Sequence, residues 1–109
     1  MSMYADYIKE REGFETIEVE NGFATYKRLN EDEFYLRDIF VENEHRVNGI
    51  AKILSGSVAK IAKEAGATKL IGSVHLRGNG VEVSLLAVMG DGFKFSHSVD
   101  SMLYFVKDI

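Results

Sequence analysis

The segment "VENEHRVNGIAKIL", residues 41–54, joins an apolar strand to an amphipathic helix and decides how the chain is organised. Upstream, "FYLRDIFV" (Phe34 to Val41) has the apolar content of a central β-strand. From Gly49 onward, apolar residues recur at spacings of three and four, which predicts a helix of about four turns that Gly66 ends. The intervening loop would deliver unpaired backbone N–H groups to the helix N-terminus, where the helix dipole also favours a phosphate.

Three residues of this segment suit such an anion. Gly49 would allow close approach of the backbone, Ala51 would leave room for the ligand, and Arg46 would add a charge-assisted contact. An ordinary strand–loop–helix connection with a chance arginine and glycine would explain the same residues without a ligand, because R-x-x-G-x-A is by itself a weak pattern.

The whole chain, residues 1–109, reads as one mixed α+β domain with the element order α-β-β-β-α-β-α-β-β. Ser2 can cap a first helix over residues 2–12, with Tyr4, Tyr7 and Ile8 on one side and Gly13 as its stop. The Asn21-Gly22 pair predicts a hairpin. The later segments "KLIGSVHL", "FKFSHSV" and "MLYFVKDI" read as strands, and "NGVEVSLLAVMGDG" as a second helix closed by Gly90 or Gly92, with a strand as the alternative. The strand–helix–strand crossover predicts a parallel pair inside a twisted sheet of about six strands, with helices on its faces.

Composition excludes several classes of function. The chain has no cysteine and a net charge of −4, so thiolate chemistry and disulfides are excluded and nucleic acid is a poor partner. His45, His75 and His97 lack the spacing of zinc ligands, so we expect no metal. No apolar run is long enough for a membrane span and no signal segment is present, which favours a cytoplasmic protein.

With these elements placed, residues 38–74 resemble the coenzyme A-binding core of the GCN5-related N-acetyltransferase (GNAT) family. The family's Q/R-x-x-G-x-G/A signature would fall on Arg46, Gly49 and Ala51. "AKEAG" before an apolar strand and "MGDGFKF" before a later one are also typical of the family. The likeness covers roughly residues 14 to 109, so the family's first strand and first helix have no counterpart here.

The resemblance implies a binding mode for acetyl-CoA and a reaction. The amides of Val47, Asn48, Gly49, Ile50 and Ala51 would hold the pyrophosphate. The edge formed by Ile39, Phe40 and Val41 would pair with the pantetheine arm in the manner of an added strand. The thioester would lie where the family's fourth and fifth strands splay apart, and acyl transfer would go directly to an amine. Asn79 would also contact the coenzyme.

Candidates for proton transfer follow from the same resemblance. A carboxylate on the family's fourth strand often acts as base, which indicates Glu33 or Asp38, and His75 is a further candidate because its ordinary pKa lies near working pH. The family's acid is often a tyrosine on its fourth helix. That position falls at Leu86 or Val88, depending on whether Gly90 or Gly92 closes the helix, and neither side chain can donate a proton. Ser84 is the nearest hydroxyl on the helix, and Tyr104 could reach in from the last strand.

Three functions remain open from the sequence. The first is an acetyltransferase acting on a protein or small-molecule amine. The second is a GNAT-fold protein that has lost catalysis and binds a partner protein, with or without CoA. The third is an α+β domain with no CoA site. A homodimer formed through the last strands is a reasonable default for such a fold.

Overall fold

The computed structural model describes residues 2–42, 49–77 and 81–109, which form three helices and one six-stranded sheet. The elements are α1 (Met3–Glu12), β1 (Glu15–Val19), β2 (Gly22–Arg28), β3 (Glu33–Val41), α2 (Ile50–Glu64), β4 (Lys69–His75), α3 (Val81–Gly90), β5 (Lys94–Val99) and β6 (Met102–Asp108). The predicted α+β class and element order are therefore confirmed, and "VEVSLLAVMG" is a helix, not the alternative strand.

The sheet has the order β1-β2-β3-β4-β6-β5. The predicted parallel pair is β3 with β4, whereas every other pair of neighbours is antiparallel. Because α2 connects the two parallel strands, the crossover buries α2 against the middle of the sheet. β6 lies between β4 and the edge strand β5, although β5 precedes it in the chain.

The core lies between α2 and one face of the sheet, called here the α2 face. Leu54, Val58 and Ala62 of α2 are fully buried at helical spacing, as the sequence period predicts. They pack with alternate strand residues, among them Phe34 and Leu36 of β3, and Leu70 and Val74 of β4. Among the described residues, no helix is both long and apolar enough to cross a membrane.

α1 lies on the opposite sheet face, called here the α1 face. Ser2 accepts a hydrogen bond from the Ala5 N–H at 3.0 Å, which confirms the predicted cap. The buried positions of the helix are Ala5 and Ile8, whereas Tyr4 and Tyr7 are exposed. Of the predicted side, the structure therefore buries Ile8, together with Ala5. The Tyr4 ring reaches Phe23 of β2 at a centroid distance of 5.0 Å.

The predicted hairpin forms, but Gly22 lies in a strand and not in the turn. It pairs with Val19 as the first residue of β2, so the loop consists of residues 20 and 21. A Cβ at Gly22 would lie 2.5 Å from the Phe40 carbonyl oxygen of β3. Close approach of two strands therefore requires this glycine.

The end of α3 shows whether Gly90 or Gly92 closes the helix. Gly92 donates its N–H to the Met89 carbonyl, and Phe93 donates to the Val88 carbonyl, each at 3.2 Å. This paired pattern is a Schellman motif, with Gly92 as the residue that reverses the chain. α2 ends in the same way at Gly66, one residue beyond its C-cap Ala65.

Candidate active site

The parallel strands β3 and β4 separate partway along their length. They are in register over four pairs, from Glu33 with Lys69 to Leu36 with Gly72. β3 then continues for five residues alongside β2, while β4 continues alongside β6. A gap therefore opens between residues 37–41 and 73–75, which is the splay that the family resemblance implies.

α2 follows β3 in the chain, and Ile50 and Ile53 of its first turn line one pocket with residues 19–21 of the β1–β2 hairpin. The N-cap of α2 is Gly49, with φ 74° in the left-handed region, and no side chain in the described part of the chain makes a capping hydrogen bond. The first turn holds no acidic residue, and the first helical bond runs from the Ile53 N–H to the Gly49 carbonyl at 3.1 Å. The preceding amides of Ile50 to Lys52 therefore have no carbonyl partner within the helix and suit an anion.

The predicted coenzyme-binding residues divide into three groups. The first group is Ile39, Phe40 and Val41. It lies in the part of β3 that continues beyond the last pair with β4, residues 37–41, which is called here the β3 arm. The exposed fractions of Ile39 and Phe40 are 38% and 45%, whereas Val41 is buried in the core. Gly49, Ile50 and Ala51 form the start of α2. Arg46, Val47, Asn48 and Asn79 lie outside the described residues, and their roles stay predictions.

Asp38 is held by two neighbours at the start of the β3 arm. Its Oδ2 accepts hydrogen bonds from the Thr25 hydroxyl at 2.7 Å and from the Arg37 Nε at 2.8 Å. Thr25 is fully buried, whereas the Asp38 side chain is 46% exposed. A β-bulge creates this arrangement, because Thr25 pairs with Asp38 and Tyr26 with Leu36, leaving Arg37 between them.

Arg37 connects the strand to α1. Its guanidinium contacts the Glu12 carboxylate and lies 3.9 Å from the centre of the Phe14 ring. Burial lowers the pKa of Arg37, but its hydrogen bonds to Asp38 and Glu12 outweigh burial and raise the pKa overall. The residue therefore remains a cation that orients the Asp38 carboxylate.

Glu33 and His75 are not brought together with Asp38. Glu33 accepts a hydrogen bond from the Asn30 side chain at 2.8 Å and pairs with Lys69, at the end of β3 away from the gap. His75 is exposed at the last position of β4, where its Nδ1 accepts the Arg77 N–H at 3.1 Å. The described residues contain no group of His, Asp or Glu side chains that could hold a metal ion.

Two hydroxyls that the sequence interpretation missed meet where the strands separate. Tyr35 Oη and Ser73 Oγ lie 2.7 Å apart. Tyr104, a predicted candidate, is the partner of Ser73 in the β4–β6 register, and the His97 ring stacks on Tyr104 at 4.9 Å. Alternation along the strands could have placed Tyr35 and Ser73 on one face. Their proximity, however, depends on the register of β3 against β4.

The family to which the chain belongs follows from a sequence match as well as from this geometry. The model of the Acetyltransferase (GNAT) family matches residues 3–86. That is well over half of the chain, so the chain belongs to the GNAT acetyltransferase family. No curated protein sequence matches it significantly.

Solved structures confirm the fold. PaiA N-acetyltransferase from Thermoplasma acidophilum, in complex with coenzyme A, superposes with TM-score 0.73 and 22% identity, over 82% of this chain and 54% of that one. A GNAT family acetyltransferase from Elizabethkingia anophelis with bound acetyl-CoA gives TM-score 0.76 and 14% identity, over 95% and 82%. A putative GNAT acetyltransferase from Desulfovibrio desulfuricans gives 0.77 and 14%, over 94% and 75%. The chain thus spans little more than half of the Thermoplasma structure.

Proposed function

We propose that the protein is an N-acetyltransferase that transfers the acetyl group of acetyl-CoA directly to an amine. One observation carries this proposal: β3 separates from β4 beyond Leu36, and the helix that follows β3 in the chain begins at a glycine N-cap with no acidic residue in its first turn. A ligand with an extended arm and a pyrophosphate could occupy both features at once. Coenzyme A and acetyl-CoA, which are bound in two of the similar structures, are ligands of this shape.

In this proposal the pyrophosphate binds the start of α2 and the preceding loop, with Arg46 contributing charge. The pantetheine arm runs along residues 39–41, which brings the thioester to the point where β3 and β4 separate. Because the amine attacks without a covalent enzyme intermediate, the protein has to orient the two substrates and remove one proton from nitrogen.

Asp38 is the carboxylate best placed to act as base. Its Oδ2 is engaged by Thr25 and Arg37, so Oδ1 is the oxygen that could accept a proton from the amine. Asp38 lies on the β3 arm, whereas Glu33 lies at the opposite end of the strand. His75 stays a second candidate at the end of β4.

The first experiment is calorimetric titration with acetyl-CoA, followed by measurement of free CoA thiol with a panel of amines. The panel contains a polyamine, an arylalkylamine, an aminoglycoside and a peptide with a free N-terminus. We expect binding, and thiol release with at least one amine. Absence of binding at millimolar acetyl-CoA would refute the proposal.

Substitution then tests the base. Asp38→Asn should reduce turnover by about 10²- to 10⁴-fold, the usual contribution of general acid–base catalysis. His75→Gln and Glu33→Gln are measured in the same series, with Glu31→Gln as a control that removes an exposed carboxylate from the β2–β3 turn. Full activity in Asp38→Asn would refute the role of Asp38.

A second candidate function is CoA binding without catalysis, coupled to recognition of a partner protein. It is favoured by α3, because Gly92 closes that helix and the position of the family's tyrosine is therefore Val88. Val88 is half-buried against the core and has no hydroxyl. Binding of acetyl-CoA without thiol release by any amine in the panel would support this candidate over the first.

A further inference from the structure

The hydroxyl pair of Tyr35 and Ser73 occupies the narrow end of the gap. Tyr35 pairs with Ile71, one position before the last β3–β4 pair, and Ser73 is the first β4 residue beyond that pair. Their side chains lie on the α1 face, and the 2.7 Å hydrogen bond between them crosses from one strand to the other. The two hydroxyls therefore flank the last β3–β4 pair, Leu36 with Gly72.

The surroundings hold the pair in place and keep it neutral. The Tyr35 ring packs edge-on against Phe14 with centroids 6.0 Å apart, and both hydroxyl-bearing side chains are half-buried. Burial raises the pKa of Tyr35 above its ordinary value of 10.0, although the hydrogen bond to Ser73 acts in the opposite direction. Near neutral pH both groups are therefore hydroxyls, and either oxygen can be the donor.

We propose that Tyr35 and Ser73 form a proton relay between the acceptor nitrogen and the leaving sulfur. The inference rests on the proposed acetyltransferase function, which places the thioester beside this pair. The nitrogen–carbon bond forms and the carbon–sulfur bond breaks. One hydroxyl oxygen accepts the proton that nitrogen loses and passes its own proton across the hydrogen bond to the second oxygen, which gives its original proton to sulfur. The pair ends as it began, with both hydroxyls neutral, and the products are the amide and CoA thiol.

This relay suits the chain because it needs no separate acid on α3. Val88 cannot supply a proton, whereas a hydroxyl pair transfers one without creating a charge in a half-buried site. Asp38 keeps the proposed role of base: it removes the first proton of a cationic amine before attack, whereas the relay takes the second proton as nitrogen bonds to carbon.

A purely structural interpretation is that the hydrogen bond only stabilises the contact between β3 and β4 where their pairing ends. The two interpretations differ in what changes when a hydroxyl is removed. Loss of a purely structural hydrogen bond would lower the free energy of unfolding and weaken acetyl-CoA binding. Loss of a relay would lower kcat and alter the proton-transfer step while leaving binding intact.

The test compares Tyr35→Phe, Ser73→Ala and the double variant with wild type, using an amine that wild type acetylates. Tyr26→Phe is the matched control, because it removes another half-buried tyrosine hydroxyl from the α2 face. Melting temperature, acetyl-CoA affinity, kcat, KM for acetyl-CoA and the solvent deuterium isotope effect on kcat are measured for each protein.

We expect each single variant to lose at least about 10²-fold in kcat, the lower end of the contribution of general acid–base catalysis. The double variant should be no slower than the slower single variant, since the two hydroxyls act as one unit. Acetyl-CoA affinity should stay within twofold of wild type, and Tyr26→Phe should keep the full rate.

Two kinds of result would overturn the inference. The first is that wild type is active and both single variants keep kcat within twofold, or lose only stability and acetyl-CoA affinity. The hydrogen bond then has only a structural role, and the proposed function stands. If wild type neither binds acetyl-CoA nor releases CoA with any amine, the proposed function fails, and the relay fails with it.

Discussion

Gly49 offers the sharpest test of how the start of α2 is built, because the cost of changing it can be calculated from its geometry. Its φ of 74° lies in the left-handed region, and a Cβ there would meet no described atom within 4 Å. Replacement by alanine therefore costs backbone strain alone, about 1–2 kcal/mol. For a domain of this size each kcal/mol corresponds to a fall of roughly 4–8 °C in Tm.

Gly56 provides a matched control within the same helix. It is exposed in the interior of α2, and a Cβ there also meets nothing within 4 Å. The same chemical change should stabilise the protein by roughly 0.5–1 kcal/mol, since alanine has less backbone freedom to lose. Urea unfolding of Gly49→Ala and Gly56→Ala should thus give shifts of opposite sign. Equal or like-signed shifts would refute the assignment of a left-handed N-cap.

The binding consequence of this geometry is measured with a larger side chain. Gly49→Leu should lower acetyl-CoA affinity by at least about tenfold, or 1.4 kcal/mol, because its side chain keeps the phosphate from the helix amides. Calorimetry is done well below the variant's Tm, so that the protein is folded. Unchanged affinity in a folded Gly49→Leu protein would contradict the pyrophosphate assignment.

Three further outcomes are expected. Gly22→Ala should cost about 1–3 kcal/mol in urea unfolding, because its Cβ would overlap a carbonyl oxygen of β3 at 2.5 Å; a neutral result would refute the close approach. Ser55→Ala should cost about 1.5–3 kcal/mol, since the nearly buried Ser55 donates to the Asp91 carboxylate at 2.7 Å and links α2 to the end of α3; equal urea midpoints would count against that link. Tyr35 and Tyr26 have pKa values that burial raises above 10.0, so their contribution to stability is present below pH 10.0 and is lost as pH rises through the folded pKa. Tyrosinate absorbance should show that each tyrosine ionises above pH 10.0. Tyr35→Phe should reduce the loss of stability at alkaline pH. An unaltered dependence of stability on pH in that variant would contradict the assignment.

The local pattern of the sequence was enough to identify the elements. Period-3.6 spacing placed α2, the cap at Ser2 placed α1, and glycines closed all three helices, because each of these signals acts over a few residues of chain. The parallel pairing of β3 with β4 also followed, since a helix between two strands leaves few alternatives. The family was indicated by the resemblance of the segment around Gly49 to the GNAT signature, and the family-model match over residues 3–86 confirms it.

Only the tertiary structure decided the register and the site within it. Pairing of β3 with β4 ends at Leu36 and Gly72, and this limit depends on how each strand packs against its other neighbour. Tyr35 and Ser73 are 38 residues apart and meet through that register alone. Asp38 was predicted from sequence, but its contacts depend on a β-bulge opposite Thr25 that no local pattern indicates. Local signals therefore determined the elements and the family, whereas long-range strand pairing decided which side chains meet, because a shift of one residue turns every side chain to the other face.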